Sequence, residues 1–380
     1  MSASGSNLLL RVFFNAPNPH LRGGPATHLP LLKSALEHYV KLEIFHHGRA
    51  ADDETTLRKC VRTAANLAAV ESKILRRRPD VIHVNSAFDA RSVLRDTPLA
   101  LLAGRHNIPL LLKVHGSFPE IIRPTRTVVE FAKRILIRNI SMLCVLSAAE
   151  KAEFEYFLPE LRGRVCVVKN VIADTFLKAE RCESDDPVIL FASRFLKEKG
   201  PFHLLEAASS IVERIPNARF VFLGDGPAAP QFDVEIRNRG VSSFVQRLPF
   251  VSRHEITSWY TRSWIFVFPT LFSEGMPMAL AEAMATGTPI VTTRTRFSLS
   301  YLTEYENCVY CERQNSCSIA RQVITVLTDD ELRRKMSRAN RMLALQFRGE
   351  AVAQEFVHLY TKLTDVNSAR ELRPSLTEIV

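Results

Sequence analysis

Short apolar runs alternate with longer amphipathic stretches along nearly the whole chain. Leu8–Phe14, Pro109–Val114 and Val188–Phe191 have the length and apolar content of buried strands. Stretches with helical spacing follow them, as in Ala26–Tyr39, where leucines recur on one face. Alternating strands and helices are typical of α/β proteins with parallel sheets, so the pattern predicts that fold class.

The alternation stops once, at the polar stretch 173–187, and then restarts. We therefore predict an N-terminal domain at 1–172, a linker at 173–187 and a C-terminal domain at 188–349. We expect the terminal helix, at about 350–380, to pack back on the first domain, with its end frayed from Thr364. A length of 380 residues agrees with two domains, and 46% hydrophobic residues suffice for two cores.

The most informative stretch is Phe266–Thr292, which reads as strand, loop, helix, turn and strand. Its helix, Met278–Ala285, is rich in strong helix formers. Backbone N–H groups of the preceding loop point to the space before a helix N-terminus, which is an anion site. Two carboxylates, Glu274 in the loop and Glu282 in the helix, are placed to accept hydrogen bonds from hydroxyls beside a bound phosphate. The alternative is an ordinary strand–helix–strand unit with two solvated glutamates.

Two further stretches of interest directly follow predicted strands. Arg194 and Lys199 lie between the strand Val188–Phe191 and the next predicted helix. Open α/β sheets bind ligands at the carboxyl ends of strands, and a guanidinium with an ammonium suits a diphosphate. The strand Phe220–Leu223 runs into the tight turn Gly224–Pro227, of sequence GDGP.

In this order and spacing, the three stretches resemble the retaining glycosyltransferases of family 4. The family pattern is Gly/Ser-Arg-Leu-x-x-x-Lys-Gly, then Gly-x-Gly-Pro, then Glu-Gly-x-Pro with a second Glu. The resemblance implies the GT-B fold, in which two Rossmann-like parallel-sheet domains face a central cleft. It also implies metal-independent transfer of a sugar, with retention of anomeric configuration, from a UDP- or GDP-sugar to a glycan or lipid-linked acceptor. The pathway implied is cell-envelope or polysaccharide biosynthesis.

The resemblance also implies roles for individual residues. Glu282 would bind the ribose hydroxyls and Glu274 the sugar hydroxyls, while Gly23, Gly24 and His115 would close over the donor from the first domain. The candidate catalytic residues are Glu274, His115, Arg194 and Lys199. The candidate donor-binding residues are Gly23, Gly24, Arg194, Lys199, Gly275, Met276, Pro277, Met278, Ala279 and Glu282. The chain departs from the family at Pro249, where glycine is common, which alters the loop expected near the base.

Two histidines on predicted strands have different expected roles. His83 falls inside the strand Val81–Asn85, where a hydrogen-bonded core histidine is the favoured interpretation. His115 directly follows the strand Pro109–Val114, at the edge where ligands bind, so we expect it to line the site.

No metal or cofactor beyond the donor substrate is expected. Cys308, Cys311 and Cys317 lack a clear fourth ligand for zinc, and no acidic triplet follows a strand. Seven cysteines, an odd number in a long chain, indicate a reducing cytoplasm without a disulfide framework. No apolar run approaches the ~18 residues of a membrane-spanning helix.

The excess positive charge lies in the first half of the chain. The net charge is +10, and residues 1–170 carry 25 Lys and Arg against 15 Asp and Glu. The stretch Ile121–Ile140 is basic and amphipathic, with Arg123, Arg126, Lys133, Arg134 and Arg138. Such a helix suits the inner face of an anionic membrane. The alternatives are an ordinary outer helix and a diffusely basic surface; nucleic-acid binding lacks an interleaved aromatic motif.

Other functions on the same fold stay open at this stage. A sugar phosphorylase or an epimerase would use the same nucleotide-sugar or phosphate chemistry. A non-catalytic nucleotide-sugar-binding protein is disfavoured, because all four charged candidates, Arg194, Lys199, Glu274 and Glu282, are present.

Overall fold

A computed structural model describes residues 9–16, 24–46, 56–117, 119–124, 127–273 and 275–371. It contains two six-stranded parallel sheets flanked by helices. The described residues of Met1–Val171 and Gly349–Val380 form one compact unit, the first unit, and Ile172–Arg348 form the second.

In the first unit, strands alternate with one or two helices, as its apolar pattern predicts. Its sheet has the order β2-β1-β3-β4-β5-β6, with every neighbouring pair parallel. In chain order its elements are β1 (Arg11–Asn15), α1 (Gly24–Leu36), β2 (Lys41–Phe45), α2 (Thr56–Arg76), β3 (Val81–Ser86), α3 (Ala90–Arg105), β4 (Leu110–Val114), α4 (Pro119–Ile122), α5 (Val128–Asn139), β5 (Met142–Val145), α6 (Ala148–Phe157) and β6 (Val165–Val167).

The second unit repeats this plan. Its sheet has the order β12-β11-β10-β7-β8-β9, again with every neighbouring pair parallel. Its elements are α7 (Asp174–Leu177), β7 (Val188–Ala192), α8 (Pro201–Arg214), β8 (Arg219–Leu223), α9 (Ala229–Asn238), β9 (Val245–Leu248), α10 (Arg253–Arg262), β10 (Ile265–Phe268), α11 (Met278–Ala285), β11 (Ile290–Thr292), α12 (Arg296–Tyr301), β12 (Cys308–Tyr310), α13 (Ser316–Thr328) and α14 (Asp330–Ala344).

The last helix, α15 (Gly349–Glu371), belongs to the first unit. Phe356 and Tyr360 are fully buried in the core cluster that also contains Leu32 and Leu36 of α1 and residues of β1 and β4. A separate apolar cluster packs α2, α3 and α5 on the opposite face of this sheet. Hence α15 covers part of one sheet face in a unit whose strands lie more than 180 residues earlier.

The stretch 173–187 is ordered against the second unit. Ser184 N donates to Arg262 O at 3.0 Å, and the Trp264 indole N–H donates to Ser184 O at 2.7 Å. Arg181 donates to Ser263 O at 2.7 Å. The polar side chains of this stretch donate hydrogen bonds to backbone carbonyls of the second unit. By its contacts, the second unit begins at Ile172 rather than at 188.

Some element bounds differ from the predicted ones. In the basic stretch Ile121–Ile140 the long helix starts only at Val128, because Thr127 caps it by accepting a hydrogen bond from Glu130 N. The end of α15 is helical to Glu371, so the expected fraying from Thr364 is wrong over those residues. Of the described helices, none is both long and apolar enough to cross a bilayer.

Candidate functional site

The candidate cations of the second unit lie at a topological switch point. Strand β7 stands in the middle of the sheet, with β10 on one side and β8 on the other. Arg194 and Lys199 follow β7 directly, in the connection to α8. Ligands bind in open α/β sheets at the carboxyl edge where the strand order reverses, so both cations are at the expected place.

Gly200 joins this connection to the loop after β10. It has a left-handed φ of +81°, and a Cβ added there would overlap Pro269 O. Leu271 N donates to Glu198 O at 2.7 Å just beside it. The segments that contain Lys199 and Met276 are therefore held against each other by backbone contacts.

The GDGP turn holds the other side of the same connection. A Cβ on Gly224, whose φ is +132°, would overlap Ser193 O. Phe195 N donates to Asp225 O at 2.9 Å. The three sequence motifs, which lie between Ala192 and Thr292, thus meet at one edge of one sheet.

The two cations differ in how they are held. Lys199 Nζ lies 5.5 Å from the ring centroid of Phe268 and 5.1 Å from that of Phe272, within cation–π range. Its position is therefore set by two aromatic faces. Arg194 is exposed to solvent at the same edge. One ammonium beside two aromatic rings and one exposed guanidinium provide two positive charges for an anion at this edge.

Glu282 is a buried carboxyl group on α11. Its exposed fraction is 9%, and Tyr260 OH lies 3.3 Å from its Oε2 and 3.0 Å from Ala279 O. Burial raises the pKa of Glu282 to about 7, an effect that the hydrogen bond from Tyr260 opposes. A carboxyl group with this pKa changes its ionisation near neutrality and has an oxygen fixed by a tyrosine.

The rest of the predicted donor loop leads into α11. Gly275, Met276 and Pro277 are buried, and Met278 and Ala279 are half-buried in the first helical turn. Pro277 is the N-cap residue of α11, and no side chain caps this end. Glu274 and Gly23 lie outside the described residues, and Gly24 is the first residue of α1.

In the first unit, both ring nitrogens of His115 are engaged by neighbouring side chains. Its Nε2 lies 2.7 Å from Asn85 Oδ1, and its Nδ1 lies 3.0 Å from His28 Nε2. The Asn85 amide donates to Asn15 O at 2.6 Å, which assigns its Oδ1 as the acceptor. His115 therefore carries its proton on Nε2, and its Nδ1 accepts the Nε2 proton of His28.

This assignment leaves a lone pair on Nδ1 of His28. That atom is buried without a hydrogen-bond partner among the described residues. Burial and the positive charge of Lys113 lower the pKa of His28 to about 3 and that of His115 well below its usual value. Both imidazoles are thus neutral around pH 7; Asn85 fixes the tautomer of His115, and His28 donates to its remaining ring nitrogen.

His83 is a core histidine. It is fully buried, its Nδ1 lies 2.6 Å from Tyr360 OH, and its ring contacts Phe14 and Phe356. The interpretation that it is a hydrogen-bonded core residue is confirmed.

Sequence reasoning missed His28, Asn85 and Tyr260. Asn85 and His28 flank the carboxyl edge of the first sheet, at the end of β3 and on the first turns of α1. Their position at this edge could have marked them as site residues, but neither belongs to a sequence motif. Tyr260 gives no local signal, since its contact with Glu282 spans 22 residues.

The basic stretch is less basic at its surface than predicted. Lys133 is 1% exposed, forms an ion pair with Glu130 at 2.8 Å and donates to Ile121 O and Arg123 O. The expectation that Lys133 contacts a membrane is therefore wrong. Arg134 pairs with the same carboxylate, and Arg126 lies outside the described residues.

No cluster of three or more metal-ligating side chains occurs in the described part of the chain. Cys308 and Cys311 are buried, and burial raises the pKa of each thiol to about 12. Both groups are therefore protonated and unreactive at neutral pH.

Comparison with known families adds an independent line of evidence. The family model "Glycosyl transferases group 1" matches residues 173–342. The model "Glycosyl transferase 4-like domain" matches residues 30–170. Each match falls within one of the two structural units.

Curated relatives and solved structures agree with these matches. Alpha-D-kanosaminyltransferase of Streptomyces kanamyceticus is 24% identical over 67% of this chain and 71% of its own length. N,N'-diacetylbacillosaminyl-diphospho-undecaprenol alpha-1,3-N-acetylgalactosaminyltransferase of Campylobacter jejuni is 23% identical over 56% of this chain and 58% of its own. The structure of Anabaena HepE with UDP and glucose aligns with a TM-score of 0.70 at 16% identity, covering 93% of this chain and 100% of HepE.

Proposed function

The chain belongs to the group 1 glycosyltransferases with the GT-B fold, and from that premise we propose that it transfers a sugar, with retention, from a UDP-sugar. The proposed acceptor is a glycan or a lipid-linked sugar of the cell envelope. UDP is favoured over GDP because HepE was solved with UDP. A lipid-linked acceptor is supported by the diphospho-undecaprenol in the name of one relative.

The observation that carries this proposal is the convergence of three motifs on the carboxyl edge of β7 and β10. Arg194 and Lys199 would neutralise the diphosphate as it leaves, and Glu282 would accept hydrogen bonds from the ribose. The backbone of Gly275–Ala279 would bind the phosphate and the sugar. Because side chains supply the positive charge, the proposed reaction proceeds without a divalent metal. Epimerase and phosphorylase activities are not favoured by any feature of this edge.

Retention follows in this proposal from attack on the same face. The bond between the anomeric carbon and the diphosphate oxygen breaks, and the acceptor oxygen bonds to that carbon from the side of the departing diphosphate. A phosphate oxygen of the leaving group accepts the acceptor's proton. The charges at Arg194 and Lys199 then stabilise the transition state without a protein nucleophile.

The test is donor turnover by the purified full chain. Slow hydrolysis of one UDP-sugar is expected in the presence of EDTA, and ¹H NMR should show first release of the sugar with the donor's anomeric configuration. A panel of UDP- and GDP-sugars screened by thermal shift identifies the donor, since a ligand at ~100 times its Kd adds about 2.7 kcal/mol of stability. Inverted product, or turnover that requires added Mn²⁺, would contradict the proposed mechanism.

We propose in addition that the first unit docks on an anionic membrane. Val128 and Phe131 of α5 are 77% and 68% exposed, and the exposed Arg138 lies on the same helix. Arg123 lies near its start and stacks on Phe157. Each such cation contributes about 1 kcal/mol near an anionic leaflet. Apolar side chains beside cations suit an interfacial helix.

Liposome co-sedimentation tests the docking. Binding should appear with anionic vesicles, weaken as salt rises, and fall in Phe131→Ser and in Arg123→Ser/Arg138→Ser. The control is Arg76→Ser/Arg91→Ser, which removes two exposed arginines elsewhere in the unit. Equal binding to neutral and anionic vesicles would eliminate the membrane proposal and leave the transferase proposal intact.

A further inference from the structure

A cavity of about 600 Å³ opens at the amino-terminal edge of the first unit's sheet. Its walls are the segments that enter three neighbouring strands, together with part of α15: Asn107–Pro109 before β4, Asn139–Ser141 before β5, Gly163 and Arg164 before β6, and Lys362 and Leu363. His115 leaves β4 at the opposite edge, and five strand residues span roughly 16 Å. The cavity is therefore separate from the candidate site of this unit.

The charge of the cavity is positive and uncompensated. Arg138, Arg164 and Lys362 line it, and none of the described residues of its lining is Asp or Glu. None of the three forms an ion pair with a described residue, whereas Lys133 and Lys169 of the same unit each pair with a carboxylate. Three converging cations without a protein counterion attract an anion from solution.

Arg164 is held rigidly at the wall. Its Nη1 donates to Ile140 O at 2.7 Å, and its Nη2 donates to Glu160 O at 2.7 Å. Neutral carbonyls fix the guanidinium without cancelling its charge. Two of five N–H donors are thereby used, so the group keeps donors for a phosphate.

Two neutral polar groups at the cavity wall can form hydrogen bonds with hydroxyl groups of a ligand. Asn139 Nδ2 donates to Ile135 O at 2.8 Å, and a Cβ on Gly104 would lie 2.7 Å from its Oδ1. Gly104 therefore leaves room for that carbonyl oxygen, which accepts hydrogen bonds. The Ser141 hydroxyl accepts from Leu110 N at 3.3 Å and keeps its own proton to donate.

We infer that this cavity binds a phosphorylated sugar or polyol, with its phosphate on Arg138, Arg164 and Lys362 and its hydroxyls on Asn139 and Ser141. The volume is that of a small-molecule site and exceeds what an inorganic phosphate fills. Two sources present this chemistry: a free sugar phosphate and the head group of a phosphoinositol lipid. The inference does not depend on the proposed donor site.

Titration calorimetry of the full chain tests it, with and without UDP. The probes are glucose 6-phosphate, glucose, inorganic phosphate and vesicles that contain phosphatidylinositol. We expect glucose 6-phosphate to bind, UDP not to compete, and Arg138→Ser/Lys362→Ser to weaken its binding about tenfold or more. Both side chains are exposed, so this variant should keep the wild-type melting temperature.

Arg76→Ser/Arg91→Ser, with the same change in net charge, should change that affinity less than about twofold. If the phosphatidylinositol vesicles displace glucose 6-phosphate, the ligand of the cavity is the lipid head group. If glucose 6-phosphate stays bound, the ligand is the free sugar phosphate. Equal weakening in both double variants, equal affinity for glucose and glucose 6-phosphate, or no binding at about 10 mM ligand would overturn the inference.

Discussion

At the scale of single residues, the second unit combines two cations at a sheet edge with a carboxyl group that burial makes hard to ionise. Arg194 is exposed and Lys199 half-buried at the carboxyl edge of β7, and burial raises the pKa of Glu282 to about 7. These two chemistries predict different responses to substitution and to pH.

Replacing either cation by alanine removes a charge that would stabilise the leaving diphosphate. We expect Arg194→Ala and Lys199→Ala each to lower kcat by about 10²–10³, the scale of losing one preorganised electrostatic partner. Arg237→Ala, in the last turn of α9, is the control for loss of one exposed charge. Near-normal kcat in both site variants would rule out the diphosphate role.

Donor binding should depend on the ionisation of Glu282. Since its pKa is about 7, the anionic form, which would accept hydrogen bonds from the ribose, is lost as pH falls through 7, and the Kd for UDP should rise. Tyr260→Phe removes a hydrogen bond that lowers this pKa, so the midpoint should move to higher pH. Tyr310→Phe, which removes another buried hydroxyl of the same unit, should leave the midpoint unchanged. Calorimetry across this pH range provides the comparison.

His28 should hold the ring of His115 in place through a hydrogen bond to Nδ1, while Asn85 fixes the tautomer. In His28→Leu the Nδ1 of His115 loses its donor, whereas His28→Gln keeps an N–H near that position. Long-range ¹⁵N–¹H NMR should show His115 protonated on Nε2 in the wild type and in both variants, because Asn85 Oδ1 still accepts from that atom. Turnover should fall about tenfold or more only with leucine. A wild-type His115 protonated on Nδ1 would refute this arrangement.

At the scale of elements, the donor edge depends on loops packed by backbone contacts. Gly200→Ala places a Cβ against Pro269 O as well as straining a left-handed backbone. Gly240→Ala has the same backbone strain, with a φ of +66°, but no neighbour within 4 Å. Gly240→Ala should therefore cost about 1 kcal/mol of unfolding free energy, and Gly200→Ala clearly more.

Denaturant unfolding and UDP binding measure the two effects. Only Gly200→Ala should also weaken UDP binding, because it displaces the β10–α11 loop. Equal stability and equal affinity in the two variants would show that the loop contact has no consequence.

Periodicity predicted most of these elements, since buried parallel strands are continuous apolar runs. It missed β9 as a strand of its own, because Val245–Leu248 is only partly buried and polar at Gln246 and Arg247. The motifs predicted which loops meet at β7, since strand ends share an edge. The partners His28 and Tyr260 were not predictable, because their hydrogen bonds join residues that only the folded chain brings together.

At the scale of the whole molecule, the first unit is discontinuous in sequence. Its sheet is complete at Val167, but Phe356 and Tyr360, which cover one sheet face, come from α15. Phe356→Ala should destabilise the first unit by about 3–5 kcal/mol. Calorimetry should show a lower melting transition for that unit, while UDP-dependent stabilisation of the second unit persists. A uniform shift of both transitions would contradict this assignment.

The return of α15 sets an order of events during synthesis. After Val171 emerges, the ribosome must still translate all of Ile172–Arg348 before Gly349 appears. At about 5–20 residues per second this takes roughly 10–35 s. Throughout that interval the first unit cannot cover the β1–β4 surface that α15 buries, and by its end the second unit has been translated in full. We therefore expect the nascent first unit to leave this apolar surface exposed until α15 has been synthesised and packs on it.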